Sequence, residues 1–183
     1  RGWVLCRWVV AAALGGCGAC ERSPSPAKAS RSREIMGTLA TLTAVAADEA
    51  SAVQAVEAGY ARLEDVNRLM SDYIDASEVG RLNRSPAGTR VHVAAETLHC
   101  VQRALEFGQI SGGAFDVTCR PLITLWKTAG RQKRLPDEAE LKRVRALVDY
   151  RALLLDVEAS TIAFSREGMQ LDLGGIAKGY SLD

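Results

Sequence analysis

Residues 171 to 183 read "LDLGGIAKGYSLD", which sets a carboxylate (Asp172), a glycine pair (Gly174, Gly175) and an amine (Lys178) within one turn's reach of each other. A glycine pair between a strand and a helix lets backbone N–H groups approach a ligand, and the start of a helix favours an anion. Lys178 adds a positive charge beside that anion. Asp172 can take a ribose hydroxyl, the edge of a flavin or adenine ring, or a hydrated cation. The spacing matches neither GxGxxG nor GxxxxGK[ST], so the common nucleotide motifs are excluded, and an ordinary turn with a solvated lysine remains the alternative.

A second such stretch is "SGGAFDVTCRPL" at 111 to 122. Gly112 and Gly113 free the backbone, Phe115 can stack on a planar ligand or pack in the core, and Asp116 can bind or can cap a turn. Met36-Gly37-Thr38 and Met70-Ser71-Asp72-Tyr73 also put polar residues and glycine where a strand or helix ends. His92 alternates with Val91 and Val93, and His99 lies mid-helix, so neither is given a role.

The elements that must position these loops are legible in part. "IMGTLATLTAVA" alternates as a half-buried strand does. Asp48 caps a long helix whose Val53, Val56, Tyr60, Leu63, Val66 and Met70 fall on one face. Ser77 caps a short helix through Leu82, a strand lies around Val91, and a helix runs from Ala95 to about Ile110. Pro136-Asp137 opens another helix with Leu141, Val144 and Leu147 facing inward. Three short strands follow, "ALLLD", "TIAFS" and "MQLDL". Helices and strands mix without strict βαβ alternation, which predicts an α+β fold.

The 183 residues suffice for one domain of ordinary size, with 48% hydrophobic and 25% charged residues and a net charge of +1. No basic excess points to nucleic acid, and no nucleic-acid partner is expected. The beginning differs from the rest: positive Arg1 and Arg7, an apolar run from Trp8 to Leu14, then small residues before Cys17. That is the order of a secretory signal, expected to be clipped at its front because the first residue is Arg. Leu14-Gly15-Gly16-Cys17 resembles the bacterial lipobox, so residues 1–17 are read as a signal with Cys17 as the lipidated residue. Residues 18–33, rich in Ser and Pro at first, are read as a flexible tether, and 34–183 as the domain. Of the five cysteines, Cys6 leaves with the signal and Cys17 is acylated. Cys20, Cys100 and Cys119 are then left, an odd set without metal spacing.

Taken together and in order, Met36-Gly37-Thr38, "MSDY", "SEVGRLN" at 77 to 83, "SGGAFDVTCRPL" with Trp126, and "LDLGGIAKGY" resemble the ApbE family of FAD:protein FMN transferases. The resemblance runs from about Ile35 to the last residue. It implies a periplasmic enzyme, lipid-anchored to the inner membrane, that uses Mg²⁺ to split FAD. FMN is transferred to a threonine hydroxyl of a target flavoprotein and AMP is released. By the same resemblance Met36, Tyr73, Ala114, Phe115, Asp116, Asp172 and Lys178 bind FAD, and the Gly175 carbonyl reaches the metal. Family members continue past this motif into a second half that supplies the main metal carboxylate, so the resemblance implies a chain truncated before that half. Two other readings stay open: a Mg²⁺-dependent FAD pyrophosphatase giving FMN and AMP, and a lipid-anchored flavin-binding module without catalysis.

Overall fold

The computed structural model describes residues 25–182. The expected signal, its lipobox at Cys17 and the first part of the tether lie outside the described residues.

Strands β1 (Ala27–Ile35) and β2 (Thr38–Ala46) form an antiparallel hairpin whose register runs from Ala27↔Ala46 to Ile35↔Thr38. β1 occupies residues that the sequence analysis gave to a flexible tether ending at residue 33. The correction has a physical cause in cross-strand and tertiary pairing that composition hides. Ser30 bonds Thr43 and Ser32 bonds Thr41 through their hydroxyls (2.9 and 2.8 Å), Ala29 is buried, and Arg33 pairs with Glu57 while lying 4.3 Å over the Tyr60 ring.

Helix α1 (Glu49–Met70) packs on this hairpin. Its cap is the expected one: the Asp48 carboxylate accepts from the Ser51 N–H at 2.8 Å. Ala52, Val56, Tyr60 and Leu63 build a small core with Ala29 under the hairpin, and the Tyr60 hydroxyl shares its proton between the Arg31 and Ala40 carbonyls. Val66 and Met70, one and two turns beyond Leu63, enter the main core instead. One helix therefore joins both hydrophobic clusters, and it delivers its C-terminus to the seam between them.

The main core is built by α2 (Glu78–Leu82), β3 (Val91–His92), α3 (Ala95–Ile110), β4 (Leu153–Asp156) and β5 (Thr161–Phe164), the three strands pairing antiparallel in the order β3-β5-β4. Ser77 caps α2 as expected, its hydroxyl accepting from the Gly80 N–H at 2.7 Å. Helix α4 (Arg120–Arg131) was not expected from the sequence, where residues 111–122 read as a loop. Helix α5 (Glu138–Arg145) carries a reciprocal Asp137–Glu140 capping box, with Leu141, Val144 and Leu147 half-buried. A single 3-10 turn (Tyr150–Ala152) leads into β4, and the short helix α6 (Ala177–Tyr180) closes the described chain. Helices segregated from small antiparallel sheets make the fold α+β, as the sequence predicts.

The expected strand "MQLDL" is a second correction. Met169, Leu171 and Leu173 are buried in alternation, but the segment joins no sheet and makes one isolated parallel bridge, Gln170 to Cys119. Its backbone is satisfied by a side chain: Asn83 donates to the Leu171 carbonyl (2.8 Å) and accepts from the Leu171 N–H (2.6 Å). The Asp172 N–H goes to the Val117 carbonyl at 2.8 Å. A buried backbone must find partners, and here an asparagine takes the place of a neighbouring strand.

Candidate functional site

The seam between the two clusters opens into a cleft of about 670 Å³. That is within the usual range for a ligand pocket. Four separate segments line it: the β1–β2 turn (Met36, Gly37), the end of α1 and its loop (Asn67, Met70, Ser71, Asp72, Tyr73, Ile74), one face of α4 (Ile123, Lys127), and the terminal stretch (Asp172, Gly174, Gly175, Ala177, Lys178). Of the residues singled out from sequence, Met36, Tyr73, Asp172, Gly175 and Lys178 meet here. Ala114, Phe115 and Asp116 do not line this cleft.

Met36 reaches the cleft through an unusual backbone. Met36 and Gly37 both have positive φ (52° and 68°) between the paired residues Ile35 and Thr38. This is the two-residue hairpin turn that matches strand twist, and it asks for Asn or Gly where methionine stands. A non-glycine residue held there is strained, and its side chain packs against the edge of the main core.

Tyr73 is 70% exposed, yet its ring is held from two sides. The Lys127 Nζ donates to its hydroxyl at 2.8 Å and stands 5.1 Å from the ring centre. The Arg120 guanidinium lies 5.2 Å from the same centre and is itself ion-paired to Asp72, whose side chain is 8% exposed. The loop carrying Asp72 and Tyr73 is tied down by Ser77, whose hydroxyl donates to the Ser71 carbonyl at 2.5 Å. Lys127 was missed from sequence because α4 was, while Asp72 and Arg120 lie in stretches singled out there without a role. Pro121 in the first turn of α4 was the available signal for that helix.

In the terminal stretch the Asp172 Oδ1 accepts from the Gly174 N–H at 2.7 Å, which closes the turn, and among the described residues Oδ2 makes no hydrogen bond. The Gly175 carbonyl is likewise uncommitted among the described residues. Lys178 Nζ rests 3.4 Å from the Gly174 carbonyl on the cleft wall. Gly175 faces Phe115: a Cβ there would stand 3.1 Å from the ring. Phe115 thus backs the glycine pair, with its edge against Phe107 at 6.4 Å between centres.

Asp116 is committed elsewhere. Its Oδ1 accepts from the Thr118 N–H (2.8 Å) and hydroxyl (2.6 Å), and its Oδ2 accepts from the Tyr150 N–H (2.9 Å). Thr118, fully buried, accepts in turn from the Asp149 N–H at 2.8 Å. Ala114 is exposed on the neighbouring turn. Burial first, and then the charges of Asp172 and Asp116, push the Cys119 thiol up, away from the thiolate. Among the described residues no three His, Cys, Asp or Glu side chains converge as a metal site.

The ApbE family model matches residues 36–183. The chain belongs to the ApbE family. A Treponema pallidum relative named FAD:protein FMN transferase is 30% identical over 181 residues, covering 96% of this chain and 50% of its own length. A Vibrio cholerae relative of the same name is 33% identical over 66% of this chain and 36% of its own. Among solved structures, the ApbE protein of Thermotoga maritima superposes with a TM-score of 0.77 at 27% identity, covering 86% of this chain and 50% of that one. The flavin transferase ApbE of Vibrio cholerae gives 0.74 at 28%, covering 87% and 52%. The chain therefore spans about half the length of the curated relatives it matches.

Proposed function

We propose that this chain carries FAD-binding elements of an FAD:protein FMN transferase, and that the whole protein moves FMN from FAD to a threonine hydroxyl of a target flavoprotein. The observation that carries the reading is the cleft itself: family-motif residues Met36, Tyr73, Asp172, Gly175 and Lys178, drawn from three distant segments, line one cavity. An exposed aromatic ring and a thioether suit a planar ring system, and a lysine beside a glycine turn suits a pyrophosphate.

In this reaction the threonine oxygen forms a bond to the FMN phosphorus, the bond from that phosphorus to the bridging oxygen breaks, and AMP leaves with the bridging oxygen. The hydroxyl proton is released to solvent. Phosphoryl transfer of this kind needs positioning and charge stabilisation more than covalent help. Lys178 contributes charge near the pyrophosphate, Tyr73 and Met36 hold the ring system, and the Asp172 turn fixes the glycine pair. Mg²⁺, when bound, would neutralise pyrophosphate charge. The described residues offer it oxygen donors of the right kind, the Gly175 carbonyl and Asp172 Oδ2, though too few for a complete site.

Incubating the whole protein with FAD, Mg²⁺ and a threonine-bearing target tests the proposal. A flavin-labelled target band on a denaturing gel, with AMP released in equal amount, supports transfer. Free FMN without a labelled band would replace transfer by FAD hydrolysis, and intact FAD would remove both. The reading also tethers the protein to the membrane through an acylated Cys17. Cys17→Ser should then move it to the soluble envelope fraction, and a variant still in the membrane pellet would refute the anchor.

A further inference from the structure

A tyrosine that is 70% exposed normally samples several rotamers, and ordering it on a ligand costs affinity. Tyr73 has that cost removed in advance. Its hydroxyl accepts from Lys127 at 2.8 Å, and the two cations Lys127 and Arg120 stand 5.1 and 5.2 Å from its ring centre. Arg120 is fixed in turn by the largely buried Asp72, one residue before the tyrosine, and by a 3.4 Å bond to the Asp72 carbonyl. Both cations come from α4, four residues past its N-terminal turn and at its first residue, so one rigid helix clamps the loop that follows α1. The Arg120 distance lies inside the range of attraction to an aromatic face, whereas Lys127 holds the ring through its hydroxyl.

We infer that Lys127 and Arg120 are positioning residues that hold Tyr73 as a preformed wall for the isoalloxazine ring; this rests on the flavin reading above. Lys127 acts through the tyrosine and not on the phosphates. That separates it from Lys178, which lies beside the Gly174 carbonyl in the glycine turn. The α4 helix is thereby part of the binding apparatus although it carries none of the residues expected to bind flavin.

The distinction can be read with two ligands, FAD and riboflavin, which share the ring but not the phosphates. Binding is followed by quenching of flavin fluorescence in the wild type, Lys127→Met, Lys127→Arg, Tyr73→Phe and the double variant Lys127→Met/Tyr73→Phe of the full chain. Losing one pre-ordered side chain predicts about 3- to 10-fold weaker binding for Lys127→Met, equally for FAD and riboflavin, with most of the affinity restored in Lys127→Arg. Tyr73→Phe, which removes the acceptor and keeps the ring, should reproduce most of that loss, and the double variant should lose little more. Melting temperatures should stay together across the set, since Lys127 and Tyr73 are both exposed. Loss for FAD with riboflavin unaffected would make Lys127 a phosphate ligand and overturn the inference. So would wild-type binding of both ligands by Lys127→Met. Failure of the wild type to bind either flavin would instead remove the flavin reading, and this inference with it.

Discussion

Met36 stores strain at the cleft, and replacing it separates stability from binding. Its φ of 52° lies in the left-handed region, which costs an L-residue other than Gly roughly 1–2 kcal/mol. Met36→Gly recovers that amount. It gives up the packing of a half-buried methionine, about 1 kcal/mol, and adds backbone freedom to the unfolded chain, about 0.5–1 kcal/mol. These contributions nearly cancel, so the expected change is within about 1 kcal/mol, or about 2–4 °C in melting temperature for a domain of this size. Met36→Val keeps a smaller side chain but forces a β-branched residue into the same region, and should cost about 2 kcal/mol or more. Thermal and urea melts followed by circular dichroism provide the stability scale, and fluorescence titration with FAD provides the binding scale. The glycine variant should melt near the wild type while binding FAD more weakly, because the thioether lines the cleft. If Met36→Gly fell as far as Met36→Val, the turn would not be storing strain and the argument would fail.

Two further outcomes follow from charge and hydrogen bonding. Asp116→Ala strands the Thr118 and Tyr150 N–H groups, so it should destabilise the fold by about 2–3 kcal/mol in a urea titration, in line with lost bonds to a charged acceptor; unchanged stability would show that these bonds do not hold the fold. The Arg134 guanidinium, and then the Asp137 backbone N–H, hold the Glu140 carboxyl down from 4.5 to about 2. A depressed folded-state value gives stability that is complete above pH 4.5 and is lost as pH falls towards 2. Acid unfolding of Glu140→Gln should therefore be less steep than wild type across that window, and superimposable curves would show the pair to be fully screened.

The elements with a local signature were legible in the residues alone. Asp48, Ser77 and the Asp137–Glu140 pair announce helix starts because a cap is a bond between neighbours in sequence. The apolar face of α1 is likewise written in its spacing, as are the turn at Ser111-Gly112-Gly113 and the two glycines of the terminal stretch. Met36, Tyr73, Asp172, Gly175 and Lys178 were identifiable from the loops that carry them, although nothing local says that Met36 and Lys178 share a wall. That proximity arises because α1 spans both clusters and ends where the terminal stretch passes. What tertiary structure decided are the features paired at long range. β1 is a strand because β2, Tyr60 and Glu57 accept it, although its Ser-rich composition reads as a tether. "MQLDL" keeps the alternation of a strand but is bound by Asn83, 88 residues away, so no ladder forms. Asp116, which local sequence leaves free to bind or to cap, is committed by Tyr150, 34 residues on. Lys127 gains its partner Tyr73 only when α4 closes over the loop after α1, a contact between residues 54 apart that no local pattern encodes.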